Sequence, residues 1–487
     1  MTPGTQTEPL YLALDQGGHA SRALVIDGRG QTIADAYVPI ATQRGADFHV
    51  EHDALELAES LASCCLKISA LLGTDTARIV SAGLATQRSS IVCWQKHSGL
   101  PLTPVLSWQD RRAFDFIDQR LAYAEQVADI TGLVMSPHYG ASKLNWCLEY
   151  DEDVQAARRN HDLVIGPLAS FLVRHLVNST DNVCDPANAS RTLLWDRRTC
   201  DWSDLLCRIF AVDRNLLPLS VPSTFNAGAI EIGAHSAPLQ LITGDQSAAI
   251  YAFGQPRPHT AYINLGTGAF LQWPVGRTAV DVPGLLNSVV FQDAGGPEYV
   301  LEGTVNGAGS ALEWHGKRLR QNARALVQEG LTELSDNMPP LFLNGISGLG
   351  SPYWQSDFQS GFLGTATPGL CAVAILESIA FLLQVNLEKI ISSGRKLERI
   401  VLTGGLSRVD YLCQVIADLN RTTVVRADIR EATAKGTGYL LSRSVSWPTL
   451  DDGEFFTATT NSELNLRHMR WTAAMDEALK GSSPTGV

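Results

Sequence analysis

Long uninterrupted apolar runs are missing from this chain. The longest candidate, Leu370 to Ile391, is broken by Glu377, Gln384, Asn386, Glu388 and Lys389, so no segment reads as membrane-spanning. Positive charge is in short supply too. Lys and Arg number 38 against 50 Asp and Glu, a net charge of −12, which argues against a nucleic-acid or anionic-membrane surface. Nine cysteines are present but no two form a CxxC pair, so neither a zinc site nor a dithiol redox motif is supported. Buried thiols in a reducing cytosol are the simplest reading. The start, MTPGTQTEPL, lacks the basic residues and apolar core of a secretion signal. Together these absences lead to the expectation of a soluble, cytoplasmic protein with neither nucleic acid nor membrane as partner. What is present is ordinary for a globular chain, 45 % hydrophobic and 18 % charged. At 487 residues it exceeds one compact core and calls for two or more domains.

The most informative stretch is Tyr11 to Val38, YLALDQGGHASRALVIDGRGQTIADAYV. Short apolar runs separated by Gly-rich turns predict a three-stranded antiparallel meander. Its first turn gathers a carboxylate (Asp15), two glycines (Gly17, Gly18), a hydroxyl (Ser21) and a cation (Arg22). Backbone N–H groups at such a turn can line an anion cavity, and a carboxylate beside them can hold a metal ion. A polar surface turn and a nucleotide-phosphate site are equally consistent with these residues taken alone.

Downstream, Asp53-Ala-Leu-Glu56 has the form of a capping box, and Leu55, Ala58, Leu61, Cys65, Ile68 and Leu72 recur at helical spacing. A buried strand over 78–86 follows and ends on Gln87 and Arg88. Strand, helix, strand implies an α/β domain with its chemistry at the carboxyl ends of the strands. A second strand ends in Trp108-Gln-Asp-Arg-Arg112, read either as a small polar-ligand pocket or as a solvated helix start. Lys143, Trp146 and Leu148 fall on an amphipathic helix, 156–161 reads as a polar break, and 185–191 as a turn-rich loop without evident chemistry.

The opening pattern then recurs. Leu239–Thr243 is a strand running into Gly244-Asp245-Gln246, and INLGTGAFLQW places Gly266-Thr267-Gly268 between two apolar runs. Two such hairpins facing each other would form a cleft. The domain boundary is expected near 246–258, dividing the chain into 1–250 and 251–487. In the second half, helices are expected over 306–318, 319–334, 369–393 and 431–442, with strands over 399–403 and 422–426. Gly404-Gly405 sits between a strand end and a helix start, where backbone lets a flat ligand approach closely. Trp471, Met475 and Leu479 predict a tail helix packing back on the core.

Asp15 and Asp245 thus end strands in two opposed units. Phosphoryl transfer needs gripped phosphate oxygens, a metal and a carboxylate to take the acceptor proton. Neither a GxxxxGK[ST] loop nor the protein-kinase motif set occurs. The chain instead resembles the FGGY carbohydrate kinases, and within them the glycerol kinases, over nearly its whole length. The resemblance is carried by Asp15-Gln-Gly with Ser21-Arg22, Gln87-Arg88, Trp108-Gln-Asp-Arg-Arg112, Asn188-Ala-Ser-Arg191 and Gly244-Asp-Gln246. Gly266-Thr-Gly268, Glu302-Gly303, Pro352-Tyr-Trp354, Leu376-Glu-Ser-Ile-Ala380 and Gly404-Gly405 continue it. It implies an α/β fold of two actin-like (ribonuclease-H-like) domains with ATP in the cleft between them. It also implies transfer of phosphate from ATP, with Mg2+, to a primary hydroxyl of a small polyol or sugar; a homo-oligomer is left open.

By the same resemblance Asp245 is the general base and Asp15 acts on magnesium and the phosphates. Gly17, Gly18, Ser21, Arg22, Gly266, Thr267, Gly309, Gly404 and Gly405 face the nucleotide. Arg88, Ser89, Trp108, His138, Asp245, Gln246 and Phe270 line the substrate pocket. The departures concern the same site. Gly18 and His19 stand where relatives carry threonines, Ser89 where the glycerol kinases have a glutamate, and His138 where they have a tyrosine. A serine holds two vicinal hydroxyls less well than a carboxylate, which points toward a larger polyol or ketose. The missing hydroxyls also leave open a weakly catalytic, sugar-binding relative.

Overall fold

Two mixed sheets of like topology carry the fold in the computed structural model, which describes residues 8–46, 48–177, 179–450 and 453–481. In the first, Leu10–Gln16 (β1), Ala20–Asp27 (β2) and Thr32–Pro39 (β3) form the expected antiparallel meander. Ile79–Thr86 lies parallel to β1 on its other side, and His235–Gly244 lies parallel to Ile79–Thr86. The second sheet repeats this plan. Thr260–Leu265 takes the place of β1, antiparallel to Ala269–Gly276 and parallel to Arg399–Thr403, which is parallel in turn to Thr423–Arg426. Gly296–Val305 completes the second meander. This is the duplicated arrangement of two actin-like domains, and the carboxyl ends of both parallel sets lead into Gly-rich turns.

Helix Ala54–Leu72 covers the first sheet because Leu57, Leu61, Cys64, Cys65 and Ile68 form one buried stripe. Asp53 caps it, its carboxylate accepting from Leu55 N (2.8 Å) and Glu56 N (3.1 Å). The capping box is not completed. Glu56 accepts from Ala41 N at 3.0 Å instead, tying down the chain that leaves β3. In the second domain, helix Pro368–Ser392 begins on a Thr367 cap with proline in its first turn. It is long and apolar enough to cross a membrane, yet it runs through the interior of the domain. Its buried Glu377 pairs with Arg467 of the tail helix Ser462–Gly481, whose Trp471 and Met475 are fully buried.

The polar break expected over 156–161 is a helix end. Glu152–Arg159 is helical because Asp151 caps it, Val154 and Ala157 bury one face, and its acidic first and basic last turns suit the helix dipole. The turn-rich 185–191 segment contains a one-turn helix, Pro186–Ala189, capped by Asp185 through Ala187 N (2.9 Å) and Asn188 N (3.3 Å).

Helix Ala432–Ser442 belongs by sequence to the second half but packs on the first sheet. Ala434 joins Ala13, Leu24, Ile26 and Trp447 in one buried cluster. The approach is so close that a Cβ on Gly436 would stand 1.8 Å from Ala248 O. This contact seats the helix against Asp245–Ala249, the turn that carries Asp245. We expect Gly436→Ala to destabilise the protein by about 1–3 kcal/mol through overpacking, read as a lower thermal midpoint. An unchanged midpoint would mean that the two helices separate freely.

Candidate functional site

Three parallel strands of the first sheet deliver their ends to one place. Asp15 lies at the end of β1, Gln87 and Arg88 follow Ile79–Thr86, and Asp245 follows His235–Gly244. Gln87 fixes the first two ends together, its N–H donating to Gln16 O (2.8 Å) and its side-chain amide to Gln16 Oε1 (3.2 Å). The Arg88 guanidinium is buried. It donates to Ser247 Oγ (3.3 Å) and Gln246 Oε1, and lies 3.6 Å from Asp245 Oδ1. Gly244 is required here, since a Cβ would stand 2.4 Å from Arg88 Cδ. Glu302, from the opposed sheet, lies 3.6 Å from Arg88 Nη1 and accepts from Arg191 Nη2 at 2.5 and 2.6 Å.

Burial and neighbouring charge set the ionisation of this group. Asp15 is pushed up to about 7, chiefly by burial and further by the charges of Asp245 and Glu431, with Arg22 opposing. Arg22 is paired with Glu431, the residue before helix Ala432–Ser442, whose backbone is left-handed (φ 56°). Asp245 is also raised by burial, against the pull of Arg88 and its own hydrogen bond from Gln246 N (2.7 Å). Its side chain remains 33 % exposed toward the cleft. Glu302 goes the other way: burial opposes its charge, but Arg191 and Arg88 hold it below the usual carboxylate range.

The segments that carry Ser89, Trp108 and His138 meet around a buried lysine. Lys143 Nζ donates to the carbonyls of Ser89 (2.7 Å), Ser107 (3.0 Å) and His138 (3.0 Å). It pins the three segments that carry Ser89, Trp108 and His138. Ser89 sits in the left-handed region (φ 63°), an unfavourable conformation for serine that this bond to its carbonyl helps retain. Burial lowers Lys143 to about 7. The rings of Trp108 and His138 meet edge to face with centroids 5.5 Å apart. Burial, reinforced by Lys143 and Arg191, keeps the His138 imidazole neutral at neutral pH. Gln246 reaches Arg88 as described, while Phe270 lies across from Asn264 on the second sheet, close to Gly268.

On the opposite wall the second hairpin is built of backbone. Gly266 N donates to Gly268 O (2.9 Å), and the start of helix Gly309–Leu319 docks beneath it. Ala308 N and Ser310 N donate to Thr267 O (3.1 and 3.0 Å) and Gly309 N to Gly266 O (3.0 Å). A Cβ on Gly309 would stand 2.8 Å from Gly266 O, so Gly309 serves the hairpin's close packing. The Gly404-Gly405 pair divides in role. Gly404 has φ 88° and no room for a Cβ, which would fall 2.5 Å from Leu265 O. Gly405 faces open space, with nothing within 4 Å of its Cβ direction, as a flat ligand requires.

At the first hairpin the glycines are not there for left-handed backbone, since neither Gly17 nor Gly18 has positive φ. A Cβ on Gly18 would meet only Trp108 Nε1, at 4.0 Å. Ser21 does not join the cleft. Its hydroxyl is fully buried and bonded to Ser60 Oγ of helix Ala54–Leu72 at 2.7 Å, because β2 alternates faces and Arg22 takes the cleft side. His19 is exposed. Among the described residues no three His, Cys, Asp or Glu side chains cluster for a metal. The donor set therefore suits an ion held mostly by phosphate oxygens and water, with Asp15 beside it. Sequence reasoning assigned no role to Lys143, Arg191, Glu302 or Glu431. Arg191 and Glu302 were visible within shared motifs; Glu431 carried no signal.

Residues 10–249 match the FGGY family of carbohydrate kinases, N-terminal domain, and residues 261–444 match the C-terminal domain of the same family. The chain is 34 % identical over 443 residues to a glycerol kinase of Ralstonia nicotianae, covering 88 % of each. It is 29 % identical to one of Salmonella paratyphi B, covering 97 % of this chain and 98 % of that one. Among solved structures, Plasmodium falciparum glycerol kinase with ADP superposes with a TM-score of 0.87 at 22 % identity, covering 97 % of this chain and 98 % of that chain. A xylulose kinase from Rhodospirillum rubrum gives 0.84 at 17 %, covering 96 % and 98 %. With paired strand-end carboxylates, duplicated hairpins and matches across both halves, this chain belongs to the FGGY family of carbohydrate kinases.

Proposed function

We propose that the chain transfers the γ-phosphoryl group of ATP to a primary hydroxyl of a small polyol, glycerol or a longer relative. The observation that carries this reading is Asp245: a carboxylate with raised proton affinity, open to the cleft, held by Arg88 and placed beside Asp15 at the first hairpin. The Gly266–Gly268 hairpin and Gly405 would receive the phosphates and adenine. Magnesium, when bound, would neutralise phosphate charge, with Asp15 as its protein-side carboxylate. Asp245 would accept the hydroxyl proton as the new P–O bond forms, and Arg88 would orient the hydroxyls. Lys143 acts at one remove, positioning the segments that carry Ser89, Trp108 and His138. The uncharged Ser89 favours a substrate longer than glycerol over glycerol itself.

Asp245→Asn is expected to lower kcat by about 10²–10⁴-fold, the usual contribution of a positioned general base, with nucleotide affinity by calorimetry unchanged. Substantial residual turnover would remove Asp245 from that role. Because the Asp245 proton affinity is raised, the acidic limb of kcat/KM should lie above the pH of an ordinary carboxylate. Lys143→Met should raise the polyol KM about tenfold and leave the ATP KM nearly unchanged. Equal effects on both would make Lys143 a general stability residue. Asp15 binds its proton more tightly folded than unfolded. Its contribution to ligand-free stability is therefore full below about 4 and lost as pH rises to about 7. Asp15→Asn should flatten that part of the thermal-midpoint profile.

A further inference from the structure

A cavity of about 430 Å³ is lined by Trp108 and His138 together with Arg44, Phe48, Gln109 and Arg111. It shares Trp108 and His138 with the expected polyol pocket, so the two spaces adjoin, and its size suits part of a small ligand. Among the described residues its lining charge is of one sign, with no Asp or Glu. The nearby carboxylates are already engaged: Asp110 accepts from Arg112 Nε (3.0 Å) and Nη2 (2.7 Å), and Glu51 pairs with the same guanidinium. Arg44 donates to the neutral Gln109 Oε1 (2.6 Å) and pairs with no described carboxylate. Arg111 is held through its backbone, its N–H donating to Phe48 O (3.3 Å) and its carbonyl accepting from Phe114 N (3.1 Å); its guanidinium makes no hydrogen bond or ion pair with a described residue.

We infer that this cavity receives the carboxylate end of a polyhydroxy acid, whose other end presents a primary hydroxyl to Asp245. The inference rests on the kinase reading above and narrows its substrate class. Planar guanidinium groups recognise planar carboxylates in two-point fashion. Between the two ends the neutral His138 can both donate to and accept from hydroxyls. A neutral polyol of the same length would bring neither guanidinium an anionic partner.

The test is ADP release with four-, five- and six-carbon polyols and the aldonic acid of each length, for the wild type, Arg111→Gln and Arg44→Gln. One acid is expected to exceed its own polyol at least about tenfold in kcat/KM. Arg111→Gln should erase that preference through KM while turnover of neutral polyols stays unchanged. Turnover of polyols with no preference for any acid, or a preference untouched in both variants, would overturn the inference and leave the kinase reading standing. If nothing turns over, the kinase reading fails, and thermal stabilisation by the same aldonates decides the cavity. A stabilisation lost in Arg111→Gln supports it, and none in the wild type refutes it.

Discussion

The guanidinium of Arg88 lies buried where the two sheets meet, and the rest of the site is arranged around the cost of keeping it there. A buried, unpaired charge is costly. Arg88 is therefore given Gln246, Ser247 and Asp245 from its own domain and Glu302 from the opposed one. Glu302 in turn is shared with Arg191. Burial and Arg191 weaken the hold of Arg88 on its proton, and Glu302 and Asp245 offset this in part. Removing Glu302 would leave Arg191 without the carboxylate it donates to and Arg88 with Asp245 alone, so the cluster ties Asp245 to the domain contact.

The duplicated topology explains why charges so distant in sequence converge. Parallel strands must end on the same edge of their sheet, so Asp15, Arg88 and Asp245 are neighbours although 230 residues separate the first from the last. The second sheet presents its own Gly-rich turns from the facing side. Helix Ala432–Ser442 then crosses back to the first sheet and brings Glu431 to Arg22. The first hairpin is thereby braced by a segment of the second half, and the apolar joint at Ala434 and Trp447 sets where that brace sits.

Much of this was legible beforehand because it is written in local patterns. The meander, its echo at Gly266-Thr-Gly268 and the strand at Arg399–Thr403 follow from apolar runs punctuated by glycine. The helix Pro368–Ser392 follows from a mostly apolar sequence broken by only a few polar residues. What escaped depends on direction and distance. Ser21 lies one residue from Arg22 and so faces the other side of the strand, which its motif alone does not reveal. Glu56 occupies the capping-box position but finds a better partner in Ala41 N. Lys143 reads only as one residue of an amphipathic helix until three carbonyls from separate segments are seen around it. Gly404 and Gly405 look alike in sequence, and only the space around each separates a packing glycine from a ligand-facing one.

Phosphoryl transfer to a polyol hydroxyl rather than to water is measured most directly by ³¹P NMR of the complete reaction, with Mg2+, ATP and polyhydroxylated acceptors. A phosphomonoester signal is expected to grow in step with ADP and to be absent without acceptor. ADP accompanied only by inorganic phosphate, or no consumption of ATP with any acceptor, would contradict it.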